Sequence, residues 1–186
     1  VIIEYTSIDD VLRYLQLPSG FPKSESEMQK IKYIDKKSGL CLSVDISNNI
    51  YIGRFKNGKI QDCGLVFSKK SEYLFIGDFL DGKAHGKGKQ YFKSGDKYEG
   101  DFFEGLRYGW GTYYFTNGNR YEGNFANGFQ SGWGTYYFIN GDKYEGTFVK
   151  GFRSGWGKYY FKNGDIYEEN FFENLRRGKG KMKYKN

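Results

Sequence analysis

The sequence predicts a mainly β protein, built as an elongated antiparallel β-hairpin repeat array with a short N-terminal helical cap. Composition gives the first indication, because 20% of the 186 residues are aromatic and 27 are Gly, whereas only two are Pro. Aromatic residues favour strands, and Gly serves tight turns. The other two indications are an internal repeat of 23 residues and the Asn-Gly pairs that recur between extended segments.

The repeat is defined by two short segments that recur with the same spacing. The first is typified by Tyr98-Glu-Gly100-Asp-Phe102, and its central position recurs after 24 residues once and then after 23 residues four times. Those central residues are Gly53, Gly77, Gly100, Gly123, Gly146 and Glu169. The second segment comprises Gly86-Lys-Gly88, Gly109-Trp-Gly111, Gly132-Trp-Gly134, Gly155-Trp-Gly157 and Gly178-Lys-Gly180. Such periodicity is typical of proteins in which each unit packs on its neighbours.

These two segments resemble the MORN repeat family over about residues 50–185, with a degenerate half-unit from Leu40. The resemblance is weaker at both ends, where Asp62, Ser68, Glu169 and Asn174 replace the expected Gly or aromatic residues. It implies a MORN-type solenoid sheet of about six units, of which the first and last are degenerate. It also implies a role in organising cell cortex, cilia, division structures or membrane contacts, and dimerisation through terminal repeats in some members.

Each unit is expected to form a hairpin around an Asn-Gly pair such as Asn117-Gly118. A two-residue turn there would pair Tyr114 with Tyr121, whereas a three-residue loop would pair Tyr113 with Tyr121. The choice matters because a slip of one residue moves every side chain to the other face of the sheet. Constancy from unit to unit favours the three-residue loop.

The three-residue loop gives the two faces of the sheet different compositions. The face that varies little between units is expected to bury itself, with rings fitting over glycines; it holds Gly111, Tyr113, Phe115, Tyr121, Gly123 and Phe125. The opposite face is expected to meet solvent and to hold Trp110, Thr112, Tyr114, Arg120, Glu122 and Asn124. The recurring Glu99, Glu122, Glu145 and Glu168 are interpreted as structural partners of Lys97, Arg120 and Lys143 across strands.

Residues 1–38 are predicted to form a separate segment, followed by the repeat array in residues 39–186. One helix is expected from Ser7, a natural N-cap, to Leu17, which precedes Pro18. A second, weaker helix is expected from Ser24 to about Tyr33. We favour a cap over the exposed edge of the first repeat; the alternative is a docking helix bound by this protein's own groove or by a neighbour.

The sequence carries no catalytic or metal-binding motif, so we expect no enzyme activity and no cofactor. The single histidine, His85, is assigned to a solvated loop. Two cysteines, Cys41 and Cys63, are too few for a disulfide framework, and no apolar run is long enough to span a membrane. A cytoplasmic location is expected, at the membrane cortex or the cytoskeleton.

A tryptophan in each of three central units indicates a recognition surface for a protein partner, because Trp and Tyr are enriched at binding hot spots. The partner is expected to supply an extended or helical segment. The predicted partner-binding residues are Trp110, Trp133, Trp156, Tyr114, Tyr137 and Tyr160. The alternative is that the tryptophans only pack on long loops of the Phe125–Gly132 type in adjacent units.

The net charge of +7 is concentrated at the C-terminal end, where residues 174–186 carry six basic side chains and no acidic one. Clustered cations of this kind suit peripheral attachment to anionic phospholipid membranes, the alternative function. The predicted residues for an anionic surface are Arg176, Arg177, Lys179, Lys181, Lys183 and Lys185. Protection of an open sheet edge would explain the lysines equally. Nucleic acid ranks last as a partner, and the open last strand, ending at Tyr184, would permit a homodimer.

Overall fold

The computed structural model describes residues 41–47 and 49–185, and within them every regular element is a β-strand. Within each of two compact units, consecutive strands pair antiparallel in an open sheet, apart from the last two strands of the chain, and this confirms the mainly β hairpin array. The division between the units falls after Gly105. The predicted N-terminal helical cap lies outside the described residues, and the boundary between residues 38 and 39 stays a prediction.

The first unit contains six strands in sequence order. They are β1 (Cys41–Val44), β2 (Ile50–Lys56), β3 (Lys59–Ser68), β4 (Tyr73–Leu80), β5 (Lys83–Phe92) and β6 (Lys97–Phe103). Its core is more aliphatic than the repeat pattern predicts, because Ile52, Ile60 and Leu65 are almost completely buried. The Ile60 side chain packs against Gly53 and Gly64, in the space that a tyrosine ring fills in the later repeats.

The second unit contains eight strands. They are β7 (Leu106–Tyr114), β8 (Arg120–Ala126), β9 (Phe129–Tyr137), β10 (Lys143–Val149), β11 (Phe152–Tyr160), β12 (Ile166–Phe172), β13 (Leu175–Arg176) and β14 (Lys181–Lys183). Both β13 and β14 pair with β12, so the last strand of the array is split into two short pieces. The split coincides with the degenerate end of the repeat, where Gly178-Lys-Gly180 replaces the Gly-Trp-Gly of the central units.

The hairpins around the Asn-Gly pairs have the three-residue loop that repeat constancy favoured. Tyr113 pairs with Tyr121, the Phe115 amide donates to the Asn119 carbonyl at 3.0 Å, and the Gly118 amide donates to the Phe115 carbonyl at 2.9 Å. Gly118 has φ +86°, a conformation that is free of steric cost for glycine. The predicted register, and with it the composition of both faces, is therefore confirmed.

The connections between successive repeats are two-residue turns, and not the long loops that the sequence suggested. Asn127 and Gly128 both have positive φ, at +51° and +83°, as a type I′ turn requires. The same pair of positive φ values recurs at Lys150 and Gly151. Each turn is followed on β9 and β11 by a bulge whose glycine, Gly132 or Gly155, also has positive φ. The segment from Phe125 to Gly132 is therefore mostly strand.

His85 is not in a loop either. The turn that precedes it ends at Gly82, so β5 already begins at Lys83 and His85 lies on the strand. Its imidazole is partly buried and packs against Phe103, with the ring centroids 5.1 Å apart. The prediction that His85 lies in a loop is wrong because the turn has only two residues and the strand begins before His85.

The core of the second unit is a stack of aromatic rings over paired glycines, as predicted. Tyr121 is completely buried, lies over Gly123 and Gly134, and packs edge-on against Phe125 and Phe148 at 5.3 and 4.9 Å. Edge-to-face packing at these distances is favourable beyond the area that it buries. The glycines lack the Cβ that would occupy the space of the ring. The ring can therefore be buried at this position only where a glycine pair lies beneath it.

Candidate functional site

A groove with a volume of 520 Å³ crosses the second unit on the ring-bearing face. Its floor includes Phe125 and Phe148, which are 3% and 2% exposed. The other residues that line it are Arg107, Tyr113, Phe115, Gly128, Phe129, Gln130, Tyr136, Phe138, Gly151, Arg153 and Asn174. The volume is in the range of typical ligand sites, and the lining has the usual aromatic majority with a few polar groups.

One wall of the groove is formed by four members of a continuous row of six aromatic rings, which we call the aromatic row; the four are Tyr113, Phe115, Tyr136 and Phe138. Its members alternate between strand and loop positions of successive repeats, with neighbouring ring centroids 4.7 to 5.5 Å apart. All six rings are partly exposed, because in the described part of the chain no second layer covers this face. In order along the sheet they are Tyr113, Phe115, Tyr136, Phe138, Tyr159 and Phe161.

The hydroxyl groups of the aromatic row are anchored on its outer side. The Tyr136 hydroxyl accepts a hydrogen bond from the Asn119 side chain at 3.0 Å, and the Tyr159 hydroxyl donates to Asp142 at 2.8 Å. Burial, reinforced by the hydrogen bond to Asp142, raises the pKa of Tyr159 to about 12. Tyr159 therefore stays uncharged at neutral pH, and the row offers ring faces and edges to a ligand.

The other wall carries Arg107, Gln130 and Arg153, which occupy the same position in three successive repeats. The Arg107 guanidinium lies 5.3 Å from the Tyr113 ring centroid and donates to the Gly128 carbonyl at 2.7 Å. The Arg153 guanidinium lies 5.4 Å from the Tyr144 ring and donates to the side chain and carbonyl of Asn174, both at 3.3 Å. This wall therefore presents two guanidinium groups that ring contacts and hydrogen bonds hold in place.

The residues that line the groove include two arginines and no carboxylate, so its charge is positive. The positive charge of Arg153 also acts on the ring of Tyr144 and opposes the rise in the pKa of that phenol. Burial is the larger effect and raises the pKa of Tyr144 to about 12. The groove thus combines an uncharged aromatic wall with a cationic one.

The predicted tryptophans lie on the opposite face and are exposed. Trp110, Trp133 and Trp156 are 55%, 48% and 42% exposed, and the Trp133 and Trp156 rings stack with centroids 6.5 Å apart. The expectation that a tryptophan-bearing face is open to solvent therefore agrees with the structure. We call these three residues the tryptophan surface.

The tyrosines that the sequence grouped with the tryptophans are less accessible, because charged side chains lie over two of them. Arg120 lies 4.3 Å from the Tyr137 ring centroid, and Lys143 lies 4.3 Å from the Tyr160 ring centroid. Tyr114 is also partly buried. The structure thus separates the six predicted partner-binding residues into three open indoles and three partly covered phenols.

The recurring glutamates on this face form ion pairs, as expected, both along a strand and across strands. The predicted partners Arg120 and Lys143 lie two residues earlier on the same strand as their glutamates, at 3.2 Å from Glu122 and 2.6 Å from Glu145. The cross-strand pairs are Lys89 with Glu99 and Lys158 with Glu168, which lie directly opposite each other. Burial acts to raise the pKa of Glu145, but hydrogen bonds from Lys143 and Tyr160 outweigh it and lower the pKa. Glu145 is therefore a charged structural group.

The six basic residues of the C-terminal end are all exposed but do not share one face. Arg176 lies over the Tyr167 ring at 4.4 Å, on the ring-bearing face, whereas Arg177 lies over Phe172 at 5.2 Å. Lys181 and Lys183 are opposite Glu168 and Ile166 of β12. Lys179 and Lys185 flank β14.

Two classes of site are not found among residues 41–47 and 49–185. No group of three or more His, Cys, Asp or Glu side chains is arranged to hold a metal ion. No helix in that part of the chain is both long and apolar enough to cross a bilayer.

The sequence reasoning missed the groove, although it named several of its residues. It treated the face of Tyr113 and Phe115 as self-burying, whereas only the central rows, such as Tyr121 and Phe125, are fully buried. A signal was available in Arg107 and Arg153, because a cation in a face that buries itself would lack water and an anionic partner.

The sequence matches the MORN repeat model over residues 51–61, 75–97, 98–120, 121–143, 144–166 and 170–186. No curated protein matches the chain. Among solved structures, it is similar to the TCP domain of SAS-4 (dCPAP) of Drosophila melanogaster in complex with a proline-rich motif of Ana2 (dSTIL). That similarity has 12% sequence identity and a TM-score of 0.49, over 82% of this chain and 88% of that chain.

A second similar structure is the wild-type TCP10 domain of Danio rerio CPAP, with 12% identity and a TM-score of 0.21, over 72% of this chain and 80% of that chain. The family match covers more than half of the chain, and its intervals begin at the Tyr or Phe of the recurring segment in the central units. The paired glycines and buried rings of the structure explain why those positions recur. The chain belongs to the MORN repeat family.

Proposed function

We propose that this protein is a non-enzymatic scaffold that binds a protein partner by holding an extended segment of that partner along an aromatic face of the repeat sheet. The observation that carries the proposal is the groove, which is open, 520 Å³ in volume and lined on one side by the aromatic row. Exposed aromatic rings in a preformed depression are typical of binding hot spots. Membership of the MORN repeat family supports the proposal.

The length of the groove suits an extended segment. Four strand spacings separate β7 from β11, so the part between Arg107 and Arg153 is about 19 Å long. An extended backbone rises about 3.3 Å per residue, so about six residues cover that length. Such a segment can place alternate side chains into the groove.

The tryptophan surface is the second location at which a partner could be held. Its rings are exposed, and Trp133 stacks on Trp156, so an apolar contact area is available without rearrangement. It differs from the groove in shape, because the depression is lined by the other face of the sheet. Substitutions on the two faces of a single repeat distinguish the two locations, because only the substitution at the true site should weaken binding of the partner.

The test is a selection of random 12-residue peptides on the full chain, followed by titration of the selected peptides against two variants. Phe138→Ala removes a partly buried ring of the aromatic row, and Trp133→Ala removes an exposed indole from the other face of the same repeat. We expect Phe138→Ala to weaken binding about tenfold or more and Trp133→Ala to change it less than twofold, as for a hot spot and a distant residue.

Both variants must first show the same strand circular dichroism signal as the unmodified chain. If Trp133→Ala weakens binding while Phe138→Ala does not, the partner is held by the tryptophan surface and the groove assignment is wrong. If no peptide is selected whose binding depends on either residue, the scaffold proposal fails for both faces.

A further inference from the structure

Arg153 differs from the cations on the opposite face in having no anion beside it. Arg120 and Lys143 pair with glutamates, and so does Lys158, with Glu168 at 2.9 Å. Arg153, by contrast, makes its side-chain hydrogen bonds to Asn174, and within residues 41–47 and 49–185 it forms no ion pair. A partly buried guanidinium with neutral partners keeps donors available for a carboxylate.

The position of Arg153 is fixed before any ligand arrives. Its guanidinium lies over the neighbouring rings of Tyr144 and Phe171, at 5.4 and 5.3 Å from their centroids, and also donates a hydrogen bond to the Asn174 side chain. Ordering a long side chain on binding normally costs free energy, and here most of that ordering is already present. The guanidinium is thus a preorganised feature of the groove wall.

The chain itself indicates that this cation is not needed to build the groove wall. Gln130 occupies the same position one repeat earlier, lines the same groove and is compatible with the same turn and bulge. The order Arg107, Gln130, Arg153 therefore gives the wall a charge pattern of positive, neutral, positive. The cation at position 153 is a means of specificity, because a bound segment without an anion would desolvate Arg153 and leave it without a charged partner.

We infer that the groove selects a partner segment in which an acidic side chain pairs with Arg153 while neighbouring apolar or aromatic side chains pack on the aromatic row. This inference rests on the proposed function and names the chemistry of its ligand.

The test is a double-mutant cycle between the protein and a peptide from the random 12-residue selection. On the protein side, Arg153→Gln copies the residue that already stands at position 130, and Lys150→Gln removes an exposed cation of the adjacent turn as a control for net charge. On the peptide side, each Asp or Glu is replaced by Asn or Gln. Dissociation constants are measured for every combination at one salt concentration.

We expect acidic residues to be enriched in the selected peptides, and one replacement to weaken binding to the unmodified chain and to Lys150→Gln about tenfold. The same replacement should change binding to Arg153→Gln less than twofold, because the anion no longer has its partner. Peptides that depend on Phe138 yet contain no essential acid would overturn the inference and leave the proposed function intact. Peptides that depend on neither Phe138 nor Arg153 would overturn both.

Discussion

At the scale of single residues, the buried tyrosines of the second unit are equivalent in packing but not in hydrogen bonding. Tyr121 and Tyr144 are both completely buried. The Tyr121 hydroxyl donates to the Asn124 carbonyl at 3.0 Å, whereas the Tyr144 hydroxyl is buried without a hydrogen bond to any described residue. A buried hydroxyl without a hydrogen bond lowers the free energy of unfolding, whereas one that is hydrogen-bonded raises it.

This difference predicts opposite results for the same substitution in neighbouring repeats. Tyr121→Phe should lower the free energy of unfolding by about 1 kcal/mol, because a buried hydrogen bond is lost. Tyr144→Phe should leave it unchanged or raise it by up to about 1 kcal/mol, because only an unpaired polar atom is removed. Urea unfolding followed by circular dichroism measures both changes, and equal losses in the two variants would show that the Tyr144 hydroxyl has a partner in solution.

The residue scale also shows why the candidate site was harder to predict than the fold. The sequence pattern assigned Tyr113, Tyr121 and Phe125 to one face, and the register confirms that assignment. Whether a residue on that face is covered depends on what packs above it, which the repeat pattern does not encode. Tyr121 is covered by Phe148 of the next repeat, whereas Tyr113 is only partly buried and lines the groove.

At the scale of structural elements, each hairpin depends on a glycine pair that faces a buried ring. A Cβ at position 134 would lie 2.6 Å from Cε2 of Tyr121, which is closer than carbon atoms can approach. The ring cannot move aside, because Phe125 and Phe148 pack against it. The glycine is therefore required for the contact between the strands and the ring.

We predict that Gly134→Ala lowers the free energy of unfolding by about 2–3 kcal/mol through overpacking. Gly128→Asn is the control, since Gly128 has φ +83° with open space around it, and Asn adopts positive φ at less cost than most residues. Its effect should stay below about 1 kcal/mol. Thermal and urea unfolding of both variants check the order, and a larger loss in Gly128→Asn would mean that turn conformation outweighs ring packing.

The turns show where local sequence is informative and where it is not. The Asn-Gly loops were predicted because Gly118 and its equivalents supply positive φ, and constancy between units fixed their length. The two-residue turns were missed because Lys150 and Glu104 stand where positive φ is disfavoured for such residues, at +49° and +50°. The pairing of the flanking strands imposes that conformation, and the repeat period alone does not reveal it.

The degenerate first repeat illustrates the same competition between local preference and packing. Asp62 stands where Gly86, Gly109 and Gly132 form the bulge, and it adopts φ +59°. Asp is among the few residues that adopt this conformation at modest cost. The first repeat thus keeps the bulge while its core changes from aromatic to aliphatic, so a weak repeat signal in the sequence did not mean a different fold.

At the scale of the whole molecule, the ring-bearing face carries both the residues that specify the fold and, in the second unit, those that line the groove. Residues that specify the fold are the buried rings and the glycines opposite them. The groove has a buried floor, and its walls include partly exposed rings and two arginines, with no carboxylate among the lining side chains. The tryptophan surface lies on the opposite face and is open as well; the sequence favoured it because a Trp recurs in three central units and Trp is enriched at binding hot spots.

The most direct measurement is a crystal structure of the full chain with a selected 12-residue peptide. We predict that the peptide lies extended along the aromatic row, with a carboxylate within hydrogen-bonding distance of the Arg153 guanidinium and apolar side chains against Tyr136 and Phe138. A peptide seated on Trp133 and Trp156, with the groove filled only by solvent, would contradict the central claim that the groove is the partner-binding site.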